Sequence, residues 1–183
     1  MIDVFKIEGD NINLRTTIAE DIIDYENWNK QDLKAWELDG PWYDEDLSAV
    51  INGRKKWIDS DKKPTYRFLE IETKGGVHIG WVNVYYNPSD PHMTEIGIDI
   101  PEDEYWGKGI GKEALSLWID YLFKERNLTR LGFTTWSRNK GMIRLGEKLG
   151  FKMEGIIRDG CEVKGIFYDI IKMGILRSEW IEP

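Results

Sequence analysis

One short segment, EYWGKGIGKEAL, has the residue types and the spacing to bind an anion. Glycine stands at every second position from Gly107 to Gly111, and Lys108 and Lys112 flank the last two glycines. Glycine lets the backbone approach a ligand closely, and the free amides at the start of a helix attract negative charge. Because a strand pattern precedes the segment and a helical pattern follows it, we predict a strand-to-helix loop that binds a phosphate or diphosphate.

Two familiar phosphate loops do not fit this segment. The Walker loop needs Ser or Thr after its lysine, but Glu113 follows Lys112, and Trp106 occupies the position of the first glycine. The dinucleotide fingerprint G-x-G-x-x-G needs glycine where Lys112 stands, and it belongs in an early βαβ unit. Nucleotide binding through either motif is therefore disfavoured.

The segment instead resembles the pyrophosphate loop R/Q-x-x-G-x-G/A of the GNAT acyltransferases, with Trp106 at the first position. The likeness extends in order over residues 10–180. TEIGIDIPEDEYWGKGIGKEAL is similar to the family's fourth strand and cofactor loop, and SRNKGMIRLGEKLGFKMEG to its strand-to-helix segment. The closing hairpin and LRSEW resemble the branch that includes ribosomal-protein N-terminal acetyltransferases, although aminoglycoside and polyamine acetyltransferases share much of the pattern.

The resemblance implies a fold of the α/β (α+β) class. A mixed, mostly antiparallel twisted sheet would be flanked by helices, with acetyl-CoA lying where two central strands splay apart. One GNAT domain would cover residues 1–183. The co-substrate would be acetyl-CoA and no metal would be needed.

The resemblance also implies a set of cofactor-binding residues. The backbone amides of Gly97, Ile98 and Ile100 would bond the pantetheine arm and polarise the thioester carbonyl, and Gly97 suits a bulge that frees them. Losing one such donor costs about 3 kcal/mol of transition-state stabilisation, so Ile98 is also a catalytic candidate. The remaining candidates are the pyrophosphate loop and an asparagine on the pantetheine arm: Trp106, Gly107, Lys108, Gly109, Ile110, Gly111, Lys112 and Asn139. Trp106 has core packing as its alternative, and Asn139 has helix capping.

Proton transfer is the least determined part of the implied chemistry. Glu95 resembles the glutamate that takes the amine proton, with an ordinary strand carboxylate as the alternative. Many members carry a tyrosine that protonates the departing thiolate, but Gly146 stands at that position here, and Met142 replaces a small residue. The thiolate would leave unprotonated, or Tyr168 on the last hairpin would approach it.

The elements that must position these residues follow from periodicity. The pattern predicts the order β, α, α, three strands, α, β, α and two strands. A capping box, Thr17 to Glu20, should start the first helix, and Leu47 to Ile58 should form the second. A helix after the glycine loop should bury Leu115, Trp118, Ile119 and Leu122, and the final hairpin should turn at Asp159-Gly160.

Composition excludes several other classes of protein. The 183 residues, with 41% apolar and 32% charged side chains, are typical of a globular chain. The single Cys161 rules out an intrachain disulfide, and His78 and His92 are too few and too poorly spaced for a metal site. The chain shows neither the basic patch and apolar run of a signal peptide nor a membrane span, which favours a cytoplasmic protein.

The distribution of charge bears on the partner. Net charge is −8, and from Glu8 to Asp46 there are twelve acids against three bases. This acidic segment is either a solvated helical face or a surface that attracts a cationic acceptor, and it disfavours nucleic acid. The tryptophans near it either pack between helices or wall an acceptor groove: Trp28, Trp36, Trp42 and Trp57.

Two functions remain open from the sequence. The first is an N-acetyltransferase that moves the acetyl group of acetyl-CoA directly to a primary amine, either a protein N-terminus or a small cationic amine. The second is a non-catalytic acyl-CoA sensor, which the residues at Gly146 and Met142 motivate. The final hairpin is a candidate for a homodimer contact.

Overall fold

The computed structural model describes residues 5–39, 47–60, 67–86 and 93–180. Strands and helices alternate in the order predicted by the sequence, with one additional strand and one additional helix near the start. The strands are β1 Lys6–Glu8, β2 Ile12–Arg15, β3 Phe68–Thr73, β4 His78–Tyr85, β5 Glu95–Asp99, β6 Arg130–Trp136, β7 Lys152–Val163 and β8 Ile166–Leu176. The helices are α1 Asp21–Trp28, α2 Lys34–Leu38, α3 Ser48–Ile58, α4 Ile110–Arg126 and α5 Lys140–Lys148.

Within the described ranges, the strands form one eight-stranded sheet in the order β1-β2-β3-β4-β5-β6-β8-β7. Neighbouring strands run antiparallel, except that β5 and β6 are parallel. Those two strands pair at a single position, where Glu95 lies opposite Gly132. The later residues of β5 are therefore not joined to β6, and the sheet opens there. This architecture confirms the predicted mixed α/β fold.

The core lies between the sheet and α4. The four residues predicted to face inward, Leu115, Trp118, Ile119 and Leu122, are fully buried. Their spacing of three and four residues places them on one side of the helix, against the apolar faces of the central strands. Packing of α4 on the sheet fixes the position of its first turn, which follows the glycine loop.

A network of polar side chains holds α1 and α3 on the sheet. Glu70 on β3 is completely buried and accepts hydrogen bonds from the Tyr25 hydroxyl at 2.7 Å and Arg54 Nε at 2.9 Å. Thr17 also donates to Glu70, and His78 Nε2 lies 3.2 Å from it. Burial alone would raise the pKa of Glu70, but Arg54 and His78 lower it to about 2. His78 thus has a structural place, as predicted.

The predicted capping box is wrong. The first helix begins at Asp21, and the hydroxyl of Thr17 is taken by Glu70 and caps no helix amide. Asp21 Oδ2 instead accepts from the Ile18 amide at 2.8 Å. Because the N-cap position is Glu20, Thr17 lies three residues before the helix end and cannot act as its cap.

The predicted turn of the final hairpin is also wrong. The strands turn at Lys164 and Gly165, which both have positive φ, of 51° and 77°. Asp159-Gly160 lies within β7, at a register shift between Ile157 and Cys161. Asp-Gly tolerates the positive φ that such a bulge requires, so the dipeptide indicated irregular backbone and not the chain reversal.

The predicted bulge at Gly97 is not present in the pairing of β5 with β4. The register between these strands runs through Gly97 opposite Asn83 without a shift. A Cβ atom at Gly97 would lie 2.4 Å from Asn83 Oδ1. The glycine therefore makes room for a neighbouring side chain.

No helix in the described part of the chain has the length and apolar character needed to cross a membrane. The predicted packing role of the tryptophans holds for those that the structure describes. Trp28 and Trp36 belong to an apolar cluster with Tyr25, and the ring of Trp57 lies 6.1 Å from that of Phe68. Trp42 lies outside the described residues.

Candidate active site

The glycine loop presents free backbone amides at the start of α4. Gly107 and Gly109 have φ of 73° and 86°, which only glycine adopts readily. Gly109 is the N-cap of α4 and supplies no side-chain cap, and the first bond within the helix is donated by the Glu113 amide to the Gly109 carbonyl at 3.0 Å. The amides of Ile110, Gly111 and Lys112 therefore precede the hydrogen-bonded part of the helix, as an anion site requires.

A groove of about 400 Å³ lies along this loop and is called here the loop groove. It passes from the first turn of α4 to the side of α5. Its lining includes most of the predicted cofactor residues: Ile98, Ile100, Trp106, Gly107, Gly109, Gly111, Lys112 and Asn139. Cβ atoms at Gly107 or Gly109 would meet nothing within 4 Å, so the loop leaves open space above its backbone.

Two cationic side chains in the loop groove were not predicted from the sequence. Arg144 and Lys148 lie one helical turn apart on α5 and line the groove opposite Lys112. Their spacing of four residues is a visible signal that they share a helix face. Three positive side chains around free helix amides make the groove suited to a ligand that carries several phosphate charges.

Three residues of the glycine loop that were predicted to bind the cofactor have different surroundings. Trp106 is 37% exposed, lines the groove and donates its indole N–H to the Ile100 carbonyl at 2.8 Å, so it is not a core residue. Lys108 Nζ lies 6.0 Å above the ring of Tyr105, and Ile110 packs against the core. Neither Lys108 nor Ile110 is among the residues that line the loop groove.

A second and larger cavity, of about 780 Å³, opens where β5 and β6 are not paired and is called the strand cavity. Its floor is formed by facing residues of β4 and β5, which alternate outward from the sheet. The cross-strand pairs on this floor are Trp81 with Asp99, Asn83 with Gly97, and Tyr85 with Glu95. Its walls come from β6, β8, α3 and the end of α2.

The strand cavity meets the loop groove. Six residues line both spaces: Leu38, Asp39, Ile98, Asp99, Asn139 and Met142. A ligand in the groove can therefore reach a second ligand in the cavity without crossing solvent. Such an arrangement of two joined sites suits group transfer between two bound molecules.

Glu95 lies in the strand cavity at the start of β5. Its Oε1 accepts a hydrogen bond from the Thr134 hydroxyl of β6 at 2.8 Å. The side chain is half-buried, and this bond restrains its orientation in the cavity. This placement fits a proton acceptor on the floor of the cavity.

Asn139 organises the junction of the two spaces. Its Oδ1 caps α5 by accepting from the Met142 amide at 2.9 Å, and its Nδ2 donates to the Leu38 carbonyl at 3.1 Å. Trp136 Nε1 donates to the same carbonyl at 2.7 Å. Capping, the alternative for this residue, is thus present, and the second bond holds the end of α2 over the site.

The bond to Leu38 places an acidic pair that sequence reasoning missed. Asp39 follows α2 and its carboxyl group hydrogen-bonds the carboxyl group of Asp99. Burial raises the pKa of Asp39 to about 6. The pKa of Asp99 rises well above its usual value because of burial and then because of Asp39 beside it. Sixty residues separate the two aspartates, so no local motif signals the pair.

The position at which a tyrosine was expected to protonate the departing thiolate has no room for that side chain. A Cβ atom at Gly146 would lie 2.5 Å from Phe133 Cζ, so no tyrosine fits there without displacing that ring. Tyr168, the substitute considered from the sequence, packs edge-on against Trp136, with ring centroids 4.9 Å apart. It is not among the residues that line either space.

One cluster outside these spaces has ligand types that bind cations. Asp21, Asp24 and His78 place three such atoms within 4.8 Å of one another. Both oxygens of Asp21, however, accept from the Arg15 guanidinium at 2.7 Å. Because the guanidinium already supplies the positive charge, the cluster is an ion-pair network that fastens α1 to the sheet.

Comparison with known proteins agrees with this geometry. Residues 11–152 match the family described as acetyltransferase (GNAT) domain. The uncharacterized N-acetyltransferase YokL of the SPbeta prophage in Bacillus subtilis is 28% identical over 174 residues, which cover 94% of this chain and 93% of YokL. The uncharacterized N-acetyltransferase YnaD of Bacillus subtilis is 30% identical, with 85% and 87% covered.

Solved structures share the fold at low identity. A ribosomal-protein-S5-alanine acetyltransferase from Vibrio fischeri superposes with a TM-score of 0.74 at 22% identity, covering 97% of this chain and 99% of that one. A spermidine N-acetyltransferase from Vibrio cholerae, in complex with CoA and spermine, gives 0.72 at 22% identity, with 93% and 98% covered. With the family match over residues 11–152, these findings show that the chain belongs to the GNAT family and is an acetyl-CoA-dependent N-acetyltransferase.

Proposed function

We propose that this enzyme moves the acetyl group of acetyl-CoA directly to a primary amine that is bound in the strand cavity. The observation that carries the proposal is the junction of the two spaces. Cationic side chains and free helix amides surround the loop groove, whereas carboxylates and a buried amide oxygen line the floor of the strand cavity. The two spaces therefore suit ligands of opposite charge, a polyphosphate and an amine.

The loop groove fits coenzyme A through its open backbone. The diphosphate would lie across the amides from Gly107 to Lys112, with Arg144 and Lys148 beside the phosphates. Amides of Ile98 and Ile100 on the side of β5 that is open toward β6 would bond the pantetheine arm. The Gly97 amide, predicted from the sequence to join them, lies on the side that pairs with β4, because the register has no bulge there. When bound, acetyl-CoA supplies the acetyl group as a thioester.

The residues of the strand cavity would deprotonate the amine and stabilise the charge that develops during transfer. Glu95 would take one proton from the amine, directly or through water, as the nitrogen lone pair forms a bond to the acetyl carbon. The Ile98 amide would stabilise the charge that develops on the carbonyl oxygen. As the carbon–sulfur bond breaks, the electron pair would leave with sulfur and the coenzyme would depart as a thiolate; position 146 cannot supply a proton, because Phe133 fills the space that a tyrosine there would need.

The acceptor is a protein N-terminal α-amine or a small cationic amine. An α-amine, with a pKa near 7.7 to 8, is partly neutral at physiological pH, whereas an alkylamine near 10.4 depends more on Glu95. Neighbours in structure include acetyltransferases that act on each kind of amine. A panel of peptides and a panel of polyamines and aminoglycosides, assayed in parallel, would separate the two.

Calorimetric titration with acetyl-CoA tests the proposal. Gly109→Glu should abolish binding because it places a negative charge in the diphosphate site. Gly109→Gln has the same shape and backbone strain without the charge, so it should bind more tightly than Gly109→Glu by about tenfold or more. Equal affinity in the two variants would remove the loop from cofactor binding.

Turnover of the amine panels completes the test. Glu95→Gln should lower kcat at neutral pH and lose less at high pH, where the amine is already neutral. An unchanged pH profile would remove Glu95 from the mechanism. Tight acetyl-CoA binding without transfer to any amine would instead support the non-catalytic sensor.

A further inference from the structure

The charged residues that line the loop groove differ between its two ends. Asp39 and Asp99 lie at the junction, because they also line the strand cavity. Lys112, Arg144 and Lys148 line the loop groove and are not among the residues of the strand cavity. The groove therefore has an acidic end at the junction and a cationic part away from it.

The direction of α5 gives the order of these residues along the groove. Asn139 and Met142, at the start of the helix, line both spaces, whereas Arg144 and Lys148 line the groove alone. Because an α-helix rises about 1.5 Å per residue, the Cα atom of Lys148 lies about 9 Å along the axis from that of Met142. The cationic side chains of α5 thus belong to the part of the groove that leads away from the transfer site.

The glycine loop lies beside the same part of α5. A Cβ atom at Gly111 would lie 3.5 Å from Leu145 Cδ2, so the first turn of α4 packs closely against the middle of α5. Lys112 belongs to that first turn, and its charge together with the free amides suits the two charges of a diphosphate. Arg144 and Lys148 precede and follow Leu145 along α5, and they add two further positive charges.

Arg144 and Lys148 have no partner in the described part of the chain. Both side chains are exposed, and no hydrogen bond or salt bridge within that part uses either of them. Arg138, just before α5, is by contrast paired with Glu37 at 2.8 Å. The two charges in the groove are therefore available to a ligand.

Coenzyme A carries two kinds of phosphate. A diphosphate joins the pantetheine arm to the nucleoside, and a phosphate monoester on the ribose 3′-hydroxyl adds a charge of about −1.5 to −2 at pH 7. With the thioester at the junction, the nucleotide end extends along the groove toward its cationic part. The planar guanidinium of Arg144 can donate two parallel hydrogen bonds to one phosphate, and Lys148 supplies a second positive charge.

We propose that Arg144 and Lys148 bind the ribose 3′-phosphate of acetyl-CoA, and that they make the enzyme selective for coenzyme A over its 3′-dephosphorylated form. The inference rests on the proposed position of the coenzyme in the loop groove. It gives the two side chains a role in specificity and no part in the chemical step.

Calorimetric titration with coenzyme A and with 3′-dephospho-coenzyme A tests this role without turnover. The unsubstituted enzyme should bind coenzyme A about tenfold or more tightly than the dephosphorylated form, because bonds between charged groups are the stronger ones. The double variant Arg144→Gln and Lys148→Gln should lose this difference through weaker binding of coenzyme A alone. Glutamine is nearly as good a helix former as arginine and lysine, so the variant should keep α5.

A matched control removes a cation from the same helix. Lys140→Gln, at the exposed first residue of α5 and outside both spaces, should keep the full difference between the two coenzymes. Arg144→Lys retains the charge without the planar fork, so it should give a loss smaller than that of Arg144→Gln.

Steady-state kinetics separate recognition from catalysis. With acetyl-CoA and an accepted amine, the double variant should raise KM about tenfold and leave kcat unchanged, because a contact that is equal in the ground and transition states affects KM alone. With acetyl-3′-dephospho-CoA, KM should be the same in both enzymes. An equal fall in kcat with both thioesters would contradict a role limited to specificity.

The outcomes distinguish this inference from the proposed function. Equal losses of affinity for the two coenzymes in the double variant would assign the cations to the diphosphate and overturn the selectivity, while the proposed function stands. Equal affinity of the unsubstituted enzyme for the two coenzymes would overturn it as well. If Gly109→Glu and Gly109→Gln bind acetyl-CoA equally, the proposed loop site fails, and the affinity ratio in the double variant still decides whether Arg144 and Lys148 recognise the 3′-phosphate.

Discussion

The carboxyl groups of Asp39 and Asp99 lower the free energy of unfolding when they are ionised. Burial raises the pKa of both carboxyl groups, that of Asp39 to about 6, and Asp39 raises the pKa of Asp99 further. A group whose pKa is higher in the folded than in the unfolded chain holds extra protons when folded. Its contribution to the free energy of unfolding therefore falls as pH rises from the unfolded value, near 4, through the folded value. Retaining such a pair at a cavity junction is typical of a functional site.

Asp99→Asn should consequently stabilise the enzyme at high pH. Above pH 7 we expect the free energy of unfolding to exceed that of the unsubstituted enzyme by about 1–2 kcal/mol, because the substitution removes a carboxylate whose pKa burial and Asp39 raise. Below pH 4 the difference should vanish. Denaturant titrations across this range measure it, and the exposed Asp32→Asn is the control. A variant less stable than the parent at pH 8 would contradict the argument.

At the scale of elements, the site depends on a contact between α5 and the end of α2. Asn139 caps α5 through Met142 and also bonds the Leu38 carbonyl, which precedes Asp39. One side chain thus supports both helix stability and the placement of the acidic pair. The two roles are separable because a smaller capping residue preserves only the first.

Two substitutions of Asn139 should separate stability from placement. Asn139→Ala removes the cap and should lower the free energy of unfolding by about 1 kcal/mol. Asn139→Ser keeps a capping oxygen but is too short to reach Leu38, so its stability should stay near that of the parent while KM for the amine rises. Thermal unfolding and amine kinetics measure these effects. An unchanged KM in Asn139→Ser would show that Leu38 holds its position by other contacts.

On the scale of the whole molecule, opposite charges face the two spaces. The segment from Glu8 to Asp46 carries twelve acids and three bases, and its Asp39 lines the strand cavity. The loop groove, which Asp39 and Asp99 also line at the junction, has the three cations Lys112, Arg144 and Lys148. The two substrates carry the complementary charges, so long-range attraction should assist the approach of each one.

Salt should therefore weaken the capture of both substrates. Raising NaCl from about 0.05 to 0.5 M should lower kcat/KM severalfold for acetyl-CoA and for a cationic amine, because screening shortens the range of these fields. The value of kcat should change little. Sucrose at equal viscosity controls for diffusion, and a salt-independent kcat/KM for the amine would show that the acidic segment plays no part in its approach.

Short sequence patterns predicted most of the fold and the glycine-loop part of the candidate site. The helical spacing of Leu115 to Leu122, the alternation of β5 and the glycines of the loop are properties of short segments, and the structure confirms each of them. Such signals are reliable because backbone preference and amphipathic period act within a few residues. The roles predicted for Thr17 and Asp159-Gly160 were wrong because the helix begins at Asp21, after the predicted cap, and because a bulge within β7 uses the Asp-Gly conformation.

By itself, then, the sequence predicted the order of the elements apart from β1 and α2, and it located the glycine loop between β5 and α4, whose binding of an anion stays a prediction. Only the tertiary structure decided what faces that loop. Asp39 meets Asp99 because α2 ends over the gap between β5 and β6, and Gly146 is excluded as a tyrosine position because Phe133 fills the space. Contacts between residues far apart in the chain depend on how layers pack, and no local periodicity encodes them.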